Sequence, residues 1–159
     1  MIDENLLKKV ANILKEKNLK IATAESCTGG LIAHTLTNVS GSSDYFERGV
    51  ISYSNKAKTK LLGVPENILK KYGAVSSQVA KIMADNIRTS SNVDLGISTT
   101  GIAGPTGGTE EKPVGLVYIA ISTSQKTYIK KYKFNDNRLQ NKELTCNAAL
   151  IMIFNYLKK

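Results

Sequence analysis

Ser26, Cys27 and Thr28 stand side by side in the segment Thr23–Gly30 (TAESCTGG), after the apolar run Ile21–Ala24 and before two glycines. A nucleophilic hydroxyl or thiol at a strand-to-helix turn is well placed for acyl transfer. The backbone N–H groups of the turn and the partial positive charge of the helix start can stabilise an oxyanion or bind an anion. The amides of Thr28, Gly29 and Gly30 are the expected donors. A serine nucleophile also needs a base. His34 is the sole histidine and lies eight residues beyond Ser26 on the expected helix. A rise of about 1.5 Å per residue carries it away from the turn. A Ser-His-Asp arrangement is therefore not expected, and His34 reads as a surface or packing residue. One histidine and two distant cysteines give no zinc-ligand spacing. Lysine is the remaining candidate base.

The segment Ser52–Leu62 (SYSNKAKTKLL) supplies one. Read as a helix from Asn55, it places Lys56 and Lys60 on one face and Lys58 on the opposite side, with Asn55, Leu61 and Leu62. An inward lysine loses its proton more easily, because burial disfavours the charged form. Its bland alternative is a side chain that snorkels to water or pairs with a carboxylate. The other candidates have ordinary readings too: Ser26 as a helix cap, Cys27 as a small buried hydrophobe, Tyr53 as core.

A second glycine-rich loop, Gly101–Gly108 (GIAGPTGG), follows another strand-like run and continues into Thr109-Glu110-Glu111-Lys112-Pro113. Its glycines permit close backbone approach to a ligand, and the bland alternative is a long turn. The loop lacks the Gly-Lys-Ser/Thr ending of a P-loop. Neither loop spells the dinucleotide-binding G-x-G-x-x-G. Two such loops in 159 residues suggest one site built from both.

The elements that must position these residues alternate along the chain. Helical spacing predicts Asp3–Lys17, with Asp3 as N-cap, then Leu31–Leu36, Asn55–Leu62 closed by Gly63, Pro65–Tyr72 closed by Gly73, and Ser76–Arg88 capped by Ser76 or Ser77. A last helix is predicted from Arg138 to Leu157. Strands are expected at Ile21–Ala24, Gly49–Tyr53 and Val93–Thr99, and as an antiparallel pair at Val114–Ser122 and Thr127–Phe134. Asn38–Asp44 reads as a polar loop. The pattern implies a single three-layer α/β/α domain, residues 1–159, with a mixed sheet.

The bulk properties agree with one soluble-type domain: 17.3 kDa, 42% hydrophobic residues and no apolar run of membrane-spanning length. The N-terminus MIDENLLKK carries acids and no leader-like apolar run, and Cys27 and Cys146 are far apart in sequence. We therefore expect a reduced, cytoplasmic protein with no disulfide framework and no membrane partner. The net charge of +9 asks for anionic surroundings. Few aromatics and scattered lysine pairs (8–9, 70–71, 130–131) argue against a nucleic-acid platform, and a small phosphorylated ligand accounts for the sign equally well.

The stretches TAESCTGGLIA (23–33), GSSDYFERGVISYSNKAK (41–58), GAVS (73–76) and GIAGPTGGTEEKPVG (101–115) together resemble the CinA C-terminal domain family. Its stand-alone members include PncC-type nicotinamide mononucleotide deamidases. The resemblance implies an α/β fold and a hydrolase that converts nicotinamide mononucleotide (NMN) to nicotinate mononucleotide and ammonia, with no metal and no cofactor. It also implies serine–lysine catalysis, the family serine, tyrosine and lysine falling on Ser26, Tyr53 and Lys58. In the expected mechanism Lys58 takes the Ser26 proton, with Tyr53 as a relay. Cys27, Thr28, Gly29, Gly30, Gly104, Thr106, Gly107, Gly108 and Arg138 surround the substrate. The family segment G-D-R-x-x-[IV]-R before the last helix is altered here: Arg138 is retained, but Asp136, Asn137, Asn141 and Lys142 replace its other members. That segment bears on phosphate binding or on a homo-oligomer, dimer or higher. The alternative reading is a non-catalytic nucleotide-binding or regulatory module linked to competence or DNA repair.

Overall fold

The computed structural model describes all residues, Met1–Lys159, in the order α1 (Glu4–Glu16), β1 (Ile21–Glu25), α2 (Leu31–Thr37), β2 (Phe46–Ile51), α3 (Asn55–Leu62), α4 (Glu66–Tyr72), α5 (Ser77–Ser91), β3 (Leu95–Gly101), β4 (Leu116–Ser122), β5 (Thr127–Lys133) and α6 (Arg138–Leu157). The five strands form one mixed sheet in the order β2-β1-β3-β4-β5. β2, β1 and β3 are parallel, while β4 runs antiparallel to β3 and to β5.

Alternate residues of each central strand feed two cores. Ile21, Leu95, Ile97 and Ile119 pack against α1, α2 and α6, and Ala22 and Ala24 pack against Leu62, Leu69, Val79, Met83 and Ile87 of α3–α5. The result is the expected three-layer α/β/α domain. Layer spacing is set by small residues. At Gly96 a Cβ would lie 2.2 Å from the Ala84 carbonyl oxygen, so α5 rests directly on β3. Asp3 and Ser76 cap α1 and α5 as expected, and Ser54 and Asn137, not assigned as caps from the sequence, accept from backbone amides at the starts of α3 and α6.

Several boundaries differ from the sequence expectation, most clearly in β2, β3 and α5. β2 begins at Phe46 and ends at Ile51, whereas Gly49–Tyr53 was expected. It is an edge strand with exposed Glu47 and Arg48, so its first half carries no apolar alternation. Ser52 and Tyr53 have already left the sheet to enter α3. β3 runs two residues further than expected, to Gly101, and α5 three further than Arg88, to Ser91, where Asn92 stops it in a left-handed conformation. The polar loop 38–44 contains a short 3₁₀ turn, Ser42–Asp44.

The connections make a site at one place. The chain leaves β1 towards β2 through α2 on one face of the sheet, and leaves β3 towards β4 on the other side. Adjacent parallel strands whose exits diverge open a crevice at their carboxyl ends. Ser26 follows β1 and Ile102 follows β3, so both glycine-rich segments rim that crevice.

Candidate active site

A cavity of ≈ 190 Å³ lies in this crevice, lined by Ser26, Cys27, Tyr53, Asn55, Lys58, Ala74, Val75, Thr100, Gly101 and Ala103. Larger hollows of ≈ 510 Å³ beside α3 and α4 and ≈ 530 Å³ beside α1 and α2 contain no paired nucleophile and base.

Ser26 is buried, and its backbone N–H donates to Thr99 O at 3.0 Å, which fixes the residue against the end of β3. It does not cap α2: the N-cap there is Gly30, with no side-chain bond. Its hydroxyl lies 3.0 Å from Lys58 Nζ. Lys58 is 2% exposed, so it does not snorkel, and it belongs to none of the ion pairs. Nζ also donates to Ser52 O at 3.0 Å and Tyr53 O at 3.2 Å. Two carbonyls and one hydroxyl satisfy an ammonium with its three donors, and equally a neutral amine, with two N–H donors for the carbonyls and a lone pair for the serine proton. Burial pushes the Lys58 ammonium below the ordinary lysine value. A Cys27 thiolate would pull it back up, but burial pushes that thiol up to about 12 and keeps it neutral. The same shift argues against Cys27 as nucleophile.

The helix phase delivers Lys58 only in part as expected. Lys56 and Lys60 are exposed and Leu62 is buried with Lys58, but Asn55 and Leu61, assigned to the inward side, face solvent. α3 is short and touches the domain along one narrow stripe.

Tyr53 is not core; it is 59% exposed at the cavity mouth. Its hydroxyl accepts from Arg138 Nη2 at 2.8 Å, and Lys58 bonds its backbone carbonyl instead. A relay through that hydroxyl therefore has no hydrogen bond to Ser26 or Lys58 to follow. Arg138 donates its other nitrogen to Gly104 O at 2.7 Å, so the guanidinium ties the second loop to Tyr53.

The expected oxyanion donors are rearranged. Gly29 N–H donates to Ser26 O at 3.0 Å, and Gly30 N–H to Glu25 Oε2 at 3.1 Å. The Thr28 hydroxyl turns inward to Glu25 and to Thr99 Oγ1. Cys27 and Thr28 keep backbone amides with no acceptor on another residue. In the second loop Gly104 is buried behind Arg138, whereas Thr106, Gly107 and Gly108 are exposed and lie outside the cavity lining.

Sequence reasoning missed three participants. Glu25, inside the very motif singled out, is buried and accepts four hydrogen bonds. Asn141 donates to Ala103 O at 3.0 Å and Asp136 O at 2.8 Å, tying the loop base to α6. Lys142, half-buried, places Nζ 3.4 Å from where a Cβ on Gly29 would be, and it enters no ion pair. Its spacing of four from Arg138 was the available signal: both point from the same face of α6. His34 is exposed and bonds Asn38. Both cysteines are free and buried, and no three His, Cys, Asp or Glu side chains gather into a metal-binding group. No helix is long and apolar enough to cross a membrane.

The sequence model of the CinA C-terminal domain matches residues 3–157. This chain belongs to that family. A CinA-like protein of Syntrophus aciditrophicus is 53% identical to this CinA domain over 98% of the chain. That match spans 37% of the relative's own length, and the competence-damage inducible proteins of Caldicellulosiruptor bescii and Thermoanaerobacter pseudethanolicus are spanned to 36% and 38%. Among solved structures, the competence/damage inducible protein CihA from Agrobacterium tumefaciens superposes with a TM-score of 0.95 at 37% identity, covering 100% of this chain and 99% of that one. The competence damage-inducible protein A of Klebsiella pneumoniae gives 0.95 at 28% identity, covering 99% and 98%.

Proposed function

We propose that this CinA domain is a cytoplasmic serine–lysine amidohydrolase that converts NMN to nicotinate mononucleotide and ammonia. The observation that carries the proposal is the 3.0 Å contact between Ser26 Oγ and a buried, carboxylate-free Lys58. Neutral Lys58 accepts the Ser26 proton as Oγ bonds to the carboxamide carbon. The tetrahedral oxyanion sits against the Cys27 and Thr28 amides, neither of which is given to another residue. Lys58 gives its proton to the departing nitrogen, the C–N bond breaks, and ammonia leaves an acyl ester on Ser26. Water then adds to the ester carbon with Lys58 as base, and the serine recovers its proton.

The ≈ 190 Å³ cavity, walled by Ala74, Val75 and Ala103, suits a flat ring rather than a whole nucleotide. The ribose phosphate would then lie at the mouth, near Arg138, Lys142 and the Gly104–Gly108 loop. Lys142 is the better phosphate partner, because both bonded nitrogens of Arg138 already hold Tyr53 and Gly104. Release of ammonia from NMN by the purified protein tests the reading. Release by wild type and none by Ser26→Ala supports it. Tight NMN binding with no release by wild type would favour the non-catalytic nucleotide-binding module.

A further inference from the structure

We propose that Glu25 is the positioning residue of the oxyanion hole, acting as a built-in anion that occupies the α2 N-terminus and so sets the Cys27 and Thr28 amides free for the reaction. The inference rests on the serine–lysine acyl-transfer reading and deepens it. Oε2 of Glu25 accepts from Thr28 Oγ1 at 2.5 Å, Gly30 N at 3.1 Å and Ile32 N at 3.1 Å, and Oε1 accepts from Ala33 N at 2.8 Å. The carboxylate is 1% exposed. Gly30, the N-cap of α2, has no side chain to satisfy the first-turn amides, and a carboxylate from five residues upstream does so instead.

Two consequences follow for the site. The positive end of α2 is neutralised from inside the protein, so a substrate anion gains little there. That sends a phosphate to the Lys142 side of the mouth. The chain from Ser26 to Gly30 is also closed into one rigid turn. Ser26 N–H is held by Thr99 O, Gly29 N–H by Ser26 O, and Gly30 N–H and the Thr28 hydroxyl by Glu25. The two amides left over are those directly after the nucleophile, where an oxyanion needs donors.

Glu25→Gln tests this sharply. Three of the four partners are backbone N–H groups, which only donate, and they reach both oxygens, so an amide NH₂ in either position faces another donor. Two assays are run: ammonia release from NMN, and labelling of Ser26 by an alkyl fluorophosphonate, whose phosphoryl oxygen occupies the oxyanion position without any nucleotide. Glu25→Gln is expected to lower kcat and the labelling rate by about 10²-fold. KM should stay within about twofold, and the acidic-limb midpoint of kcat/KM should not move, because the Ser26–Lys58 contact is untouched. Thr28→Val, which removes one of the four bonds together with the Thr28–Thr99 hydroxyl bond and keeps the shape, should give the same pattern at about tenfold. A lower melting temperature with kcat and labelling unchanged per folded molecule, in either variant, would reduce Glu25 to a helix cap and overturn the proposal. If wild type labels at Ser26 but releases no ammonia from NMN, the substrate reading fails while the labelling comparison still decides the role of Glu25. A wild-type Ser26 that does not label overturns both.

Discussion

Two glycine-rich turns follow the two central parallel strands, and they use their backbones in opposite ways. In the turn after β1, Gly29 and Gly30 adopt φ of +61° and +99°, and their amides are consumed by Ser26 O and Glu25. The loop after β3 has similar positive φ at Gly104 and Gly107, +88° and +90°. It is tied at its base by Asn141 to Ala103 O and Arg138 to Gly104 O, and at its far end by Lys112 Nζ to Tyr72 O, while residues 105–111 between them are exposed. Glycine content alone does not say whether a loop offers its N–H groups to a ligand. A buried acceptor nearby decides that, and Glu25 is such an acceptor for the first turn only. The first turn thus has its glycine amides bonded inside the protein, and the second leaves Thr106, Gly107 and Gly108 facing solvent.

The comparison is broken first at the chemistry of the rigid turn. Ser26→Ala should lose ammonia release by three orders of magnitude or more, as removal of a nucleophile does, while NMN binding by calorimetry persists. Lys58→Arg should be nearly as inactive, since arginine keeps a proton throughout the accessible range. Activity near wild type in Lys58→Arg would show that the residue acts only as a positive charge. The pH dependence has a defined sign. Burial lowers the folded pKa of Lys58, so kcat/KM should rise with pH as Lys58 loses its proton and then level off. Stability moves the same way: between the folded and unfolded lysine pKa values the unfolded chain binds the extra proton, so stability increases with pH there. Below the folded value the full cost of the buried charge is present. Lys58→Met should flatten that slope by up to about 1.4 kcal/mol per pH unit relative to wild type, in denaturant melts compared pH by pH.

The exposed side of the comparison is sharpened by substrate truncation. Lys142→Ala should raise KM for NMN about tenfold and leave KM for the phosphate-free nucleoside unchanged, consistent with one lost charge-assisted contact of about 1.4 kcal/mol. Equal effects on both substrates would remove Lys142 from phosphate recognition. A smaller effect separates the two turns directly. Gly30→Ala and Gly107→Ala place a Cβ on residues of nearly equal positive φ, +99° and +90°, which costs about 1–2 kcal/mol. At Gly30 that Cβ would also lie 3.0 Å from Ile51 Cδ1, and the turn is locked by Glu25, whereas at Gly107 the nearest atom is 3.7 Å away. The melting temperature should fall several degrees in Gly30→Ala and clearly less in Gly107→Ala. Equal shifts would mean that the second loop is as rigid as the first. The least effect is expected from Cys27→Ser, whose ammonia release should stay within a few-fold of wild type, because the thiol is held neutral.

Much of this molecule is legible in its sequence because it rests on local physics. The spacing of Leu6, Leu7, Val10, Ile13 and Leu14 dictates α1, and Asp3 and Ser76 mark helix starts by the hydrogen bonds their side chains can make to the next turn. The absence of a usable histidine and the inward phase of Lys58 were equally local, since they depend on residue types and a helical period. What the sequence did not determine depends on strands meeting side by side. The edge strand β2 lacks an apolar alternation, so its register appears only through its pairing with β1. Whether Lys58 reaches Ser26, 32 residues away, is decided by the parallel crossover that lays α3 at the end of β1. The direction of Glu25 is likewise a tertiary outcome. Its alternation along β1 points it to the side where α2 begins, and the buried amides there leave a carboxylate no better partner than the helix whose start they form.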